Sequence, residues 1–112
     1  QSDVINAPKN LPSGMSQEDQ SFLETLIQLV DSGKINLYSP SSLLNQTVYT
    51  QLSEQDQGKV DMEAINMLST IRQIHGLYKA GFTQTFQIEN LVRHLRLLKE
   101  RLEGISGDVF II

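Results

Sequence analysis

Cysteine and tryptophan are absent from this 112-residue chain, aromatic residues supply only 6% of it, and there are three prolines. Without cysteine there is no disulfide, no thiolate nucleophile and no Cys-ligated metal site, a composition that fits a reducing compartment such as the cytoplasm. No run of about 18 apolar residues occurs, so the sequence offers nothing long enough to span a bilayer. The opening Gln1-Ser2-Asp3-Val4 has neither the basic start nor the apolar stretch of a secretory signal. Positive charge is also scarce, with 9 Lys and Arg against 13 Asp and Glu and a net charge of −4. Such a balance gives no general attraction to nucleic acid or to anionic lipid, both of which need clustered cations.

Motifs that carry chemistry are missing as well. The seven glycines are scattered singly, which excludes phosphate-loop and dinucleotide fingerprints. There is no HExxH, paired ExxH or EF-hand loop for a metal, and no GxSxG or SxxK for a serine nucleophile. The sequence therefore leads us to expect no catalytic residues, no cofactor and no metal.

What is present is helical periodicity. A chain of this length forms one domain that buries roughly 65% of its unfolded surface. Residues 1–15 read as a flexible tail interrupted by Pro8, Pro12 and Gly14, and 16–112 as a single helical domain. Ser16 with Asp19 resembles a capping box in which Asp replaces Glu or Gln, and the spacing predicts a helix over 17–32. Its inner face is Phe22, Leu23, Leu26, Ile27, Leu29 and Val30, and Gly33 stands just past its end. Ile35 to Tyr38 reads as an extended linker whose apolar side chains close over the bundle. Ser39-Pro40 then predicts a second helix over 40–51, weakened by the β-branched Thr47 and Thr50. Ser53 caps a long third helix over 54–79. Its arc of Val60, Ala64, Ile65, Leu68, Ile71, Ile74 and Tyr78 is wide enough to meet more than one neighbour, which makes this the central helix. After Gly81, a fourth helix over 85–103 presents Ile88, Leu91, Val92, Leu95, Leu98 and Leu102 inward, and Gly104 stops it. The chain closes on the apolar Val109-Phe110-Ile111-Ile112. The fold class is all-α: a compact bundle of four main helices, an extended N-terminal tail and a short apolar C-terminal segment.

Three functional readings follow. The leading one is a non-enzymatic protein–protein interaction domain, homodimeric or a subunit of a larger assembly, with the chain itself as the expected partner. On the fourth helix Phe86 and Leu97 project opposite the inner stripe, flanked by Asn90, Arg93 and Arg101. On the third, Leu77 and Met62 leave the main arc. With the C-terminal residues these give a predicted partner interface of Leu77, Phe86, Arg93, Leu97, Phe110 and Ile112. The second reading is a nucleic-acid-binding regulator. Arg93, Arg96, Lys99 and Arg101 oppose only Glu100 within nine residues, and Gly81-Phe82-Thr83 after Gln73 faintly resembles the turn of a helix-turn-helix. The resemblance fails at Leu77, where a small residue is needed, and at Gln87, where a hydrophobe is. Solvation beside Glu89, Glu100 and Glu103 is the commoner fate of such a face. The third reading is a small-molecule binder or enzyme around His75. His75 lies on the apolar arc with no carboxylate one turn away, so it reads first as a core-edge histidine with one hydrogen bond. His94, between basic residues, reads as solvated. Asn45-Gln46-Thr47 is a formal glycosylation sequon, taken as chance here because nothing else points to secretion.

Overall fold

The computed structural model describes residues 15–82, 85–102 and 108–112. The predicted tail (but for Met15) and the stop at Gly104 lie outside the described residues. Helices α1 (Gln17–Asp31), α2 (Gln46–Tyr49), α3 (Glu54–Lys79) and α4 (Phe86–Arg101) pack together as an all-α bundle, with a 3-10 turn over Pro40–Leu43 before α2. Two of the expected caps, Ser16 and Ser53, are made as side-chain bonds, and Thr85, which the sequence did not single out, makes a third. Ser39, expected to cap the second helix, makes no such bond. Asp19 N–H donates to Ser16 Oγ at 3.0 Å, Asp56 N–H to Ser53 Oγ at 3.1 Å, and Ile88 N–H to Thr85 Oγ1 at 3.3 Å. Each satisfies an amide that has no partner inside its helix. Gly81 adopts φ +98°, which lets Phe82 N–H reach back to the Leu77 carbonyl at 2.9 Å and close α3.

The second helix departs from expectation. In place of one helix over 40–51, the 3-10 turn ends in an extended Leu44 (φ −96°, ψ 139°), and α2 is one turn long. The cause is non-local. The C-terminal segment lies antiparallel against this stretch, pairing Leu44 with Phe110. Asn45 N–H donates to the Val109 carbonyl at 2.8 Å, and Ile111 N–H donates to the Leu43 carbonyl at 2.8 Å. Asn45 then restarts the helix by accepting from Val48 N–H, so this sequon asparagine serves as a cap.

Helix α3 is central, packed against α4 and the 3-10 turn, while α1 rests on α4. Val60, Ala64, Met67, Leu68, Ile71 and Ile74 line its buried side. Met67 was not expected there, and Ile65, expected inward, is exposed: the true arc is narrower and rotated away from Ile65. From α4 come Ile88, Val92, Leu95 and Leu98. Met15, Ile35, Val109 and Phe110 complete the core from the connecting segments. Polar ties fix the linker and α2 to α3: Arg72 Nη1 donates to the Leu37 carbonyl at 2.9 Å, Gln57 Nε2 to the Tyr49 carbonyl at 3.0 Å, and Tyr49 Oη to Asp61 Oδ1 at 2.8 Å.

The far ends of α1 and α3 are held by charge. Asp31 accepts from Lys79 Nζ at 2.8 Å and meets His75 Nε2 at 3.1 Å. Lys79 and His75 together hold the Asp31 carboxyl below its ordinary value of 3.8. A carboxyl lowered on folding stabilises the native state above its unfolded value and loses that contribution as pH falls through its folded value. The stability gap between the native chain and Asp31→Asn is therefore expected to be open at neutral pH and to close in strong acid. Thermal melts of both proteins across that range check it, and a gap independent of pH would count against the pair.

Candidate interaction surface

Helix α4 has three working sides. One is the core stripe just described. A second faces α1, where Arg96 Nη1 binds Asp19 Oδ1 and its guanidinium carbon stands 5.9 Å over the Phe22 ring. The Asp19 carboxylate pushes the Arg96 guanidinium above its already high ordinary value. Asp19 is nearly buried, so the ion pair also satisfies a carboxylate that packing has removed from water. Beside this pair an open groove of about 690 Å³ runs between α1 and α4, with Glu18, Phe22, Lys99 and Glu100 among its walls. Further along α1, a small apolar cleft of about 70 Å³ lies between Phe22, Leu26 and Leu29 and the C-terminal Ile111 and Ile112.

The third side of α4 faces away from the core. At 100° per residue, Phe86, Asn90, Arg93 and Leu97 fall within about 60° of one another. Phe86 is 70% exposed and Leu97 56%. Between them Arg93 donates to Asn90 Oδ1 at 3.3 Å and pairs with Glu89 Oε2 one turn back. The second oxygen of Glu89 is buried with no hydrogen bond among the described residues. Phe82, just ahead of the helix, is also exposed, and so are Met62 and Ile65 on the outer side of α3.

Of the predicted interface, then, Phe86, Arg93 and Leu97 lie together at the surface. The other members are placed differently. Leu77 is half-buried against the core, because it stands one turn from Ile74 on the inner arc. Phe110 is 6% exposed, drawn in by its pairing with Leu44. Ile112 is half-buried beside it. The C-terminal segment thus docks on its own chain.

The predicted basic face is largely neutralised. Arg93 holds Glu89, Arg96 holds Asp19, and Arg101 Nη2 lies 3.4 Å from both oxygens of Glu63 on α3. Lys99 is half-buried in the groove wall. Only the Glu89–Arg93 pair, at i and i+4, was visible as local sequence; Asp19 and Glu63 gave no signal. His75 is tied to Asp31 and lines neither the groove nor the cleft. His94 is exposed, as expected. Among the described residues, no helix is long and apolar enough to cross a membrane. No known family model, curated protein or solved structure matches the chain.

Proposed function

We propose that the chain is a non-enzymatic helical interaction domain that docks a protein partner through the outer side of α4. The observation that carries this reading is the exposure of Phe86 and Leu97 in one strip on a helix whose opposite side already fills the core. Phenylalanine and arginine are residue types enriched at interface centres, and the exposed Leu97 beside them adds apolar area to bury. The cysteine-free composition supports assigning the domain to a reducing compartment such as the cytoplasm.

The nucleic-acid reading is less well supported, since Arg93, Arg96 and Arg101 already hold carboxylates. Phosphate contacts would have to compete with those pairs in a protein of net charge −4. The His75 reading is also less well supported, since the imidazole meets Asp31 and lines neither the groove nor the cleft.

A photo-crosslinking residue placed at position 97 tests the proposal in cells that make the protein, with position 24, an exposed site on α1, as control. A discrete adduct at 97 and none at 24 is the expected result. Equal, diffuse labelling at both positions would show the strip to be ordinary surface.

A further inference from the structure

We infer that the partner of this strip is a second copy of the same chain, packed antiparallel so that α4 lies along α4. The inference rests on the interaction reading above and adds an occupant and a register to it. Phe86, Asn90, Arg93 and Leu97 are spaced four, three and four residues apart. That is the d-a-d-a spacing of a heptad seam, the period at which one helix keeps its side chains facing a neighbour.

The spacing also reads the same in both directions. A two-fold contact uses the same patch twice, so a residue at one end of the patch must suit the residue at its other end. Laid antiparallel about a point between residues 91 and 92, the seam sets Phe86 against Leu97 of the second copy, twice. It also sets Asn90 against Arg93 of the second copy, twice. The first pair is apolar on both sides. The second repeats a donor and acceptor that already bond at 3.3 Å within one chain, so the centre of the contact is polar without being unmatched. A parallel arrangement would instead oppose Arg93 with Arg93, two donor-only guanidiniums with no acceptor between them, and Asn90 with Asn90.

Electrostatics supports the same occupant. Arg93 enters the contact already held by Glu89, so two such faces meet as neutral pairs rather than as two arrays of bare cations. A polynucleotide would gain little from a face in that state. The strip between Phe86 and Leu97 is about 16 Å long, short for a permanent interface, so the dimer should form and dissociate with concentration.

Orientation is tested by mixing two broken halves. Phe86→Lys and Leu97→Glu each spoil both symmetry-related apolar contacts of a homodimer. Each should therefore weaken self-association by about a hundredfold, roughly tenfold for each copy of the lost contact. Mixed together, antiparallel chains regain one Phe86–Leu97 contact and bring the introduced lysine beside the introduced glutamate at the other end. The mixture should dimerise where neither variant alone does, as read by light scattering over a concentration series. Circular dichroism identical to wild type confirms that the variants fold. Phe86→Arg with Leu97→Asp replaces the pair if one does not. A mixture that stays monomeric while the unaltered chain dimerises overturns the antiparallel register. An unaltered chain that remains monomeric throughout overturns the second copy as partner. In that case an adduct of another mass at position 97 still supports the broader reading, and the absence of any adduct refutes it too.

Discussion

Replacing Leu95 by alanine should destabilise the domain by about 2–5 kcal/mol, as removal of a buried leucine side chain does when the surroundings cannot fully close the space. Leu95 is 0% exposed and sits at the centre of the α4 stripe. Leu68→Ala on α3, where the leucine is 2% exposed, should behave alike. In a domain of this size such a loss lowers the melting midpoint by about 10 °C or more. Leu97→Glu, two residues along the same helix from Leu95, provides the contrast. Melted at a concentration where the chain is monomeric, it changes only the outer side, where surface substitutions usually shift stability by under about 0.5 kcal/mol. A melt in which Leu95→Ala and Leu97→Glu move together would mean that the two sides of α4 have been misassigned.

The second large effect is electrostatic. Arg96→Met keeps an unbranched side chain able to lie over Phe22 but leaves the Asp19 carboxylate without its cation, at a position where its side chain is only 11% exposed. An orphaned buried carboxylate costs several kcal/mol when burial is complete. Because the Arg96 side chain is 35% exposed, water screens part of that penalty, and about 1–3 kcal/mol is expected. The second substitution Asp19→Asn, made on top of Arg96→Met, should restore part of the loss, since no charge is then stranded. Chemical denaturation of the single and double variants measures this coupling. If Arg96→Met unfolds at the wild-type midpoint, the pair is only a surface contact.

How much of this could be read in advance depends on the range of the interactions. Helices α1, α3 and α4 were legible because their signals are local. Ser16 and Ser53 bond to amides three residues ahead, and in all three helices apolar residues recur at the helical period up to the glycines beyond. The second helix was not legible, because its break at Leu44 is imposed by a segment more than sixty residues later. Propensity alone gave no hint of that pairing. The same limit governed α4. Phe86 and Leu97 were placed outward by angle alone, but Arg93, Arg96, Lys99 and Arg101 looked like an open basic face. Asp19 and Glu63, which hold two of those arginines, come from other helices and could not be assigned to them from the sequence. The α3 arc was too wide at Ile65, which lies about 60° beyond Leu68 at the buried edge. It also passed over Met67, which at 100° per residue falls between Ile74 and Val60 in the middle of the apolar side.

The central claim, that the outer seam of α4 closes on a second copy, is tested most directly by the solution mass of the unaltered chain beside that of Leu97→Glu. Each chain weighs 12.6 kDa. Light scattering over a concentration series should show the unaltered protein rising toward twice that mass while the folded variant stays at one chain. The two proteins giving the same single-chain mass at every concentration would contradict the account.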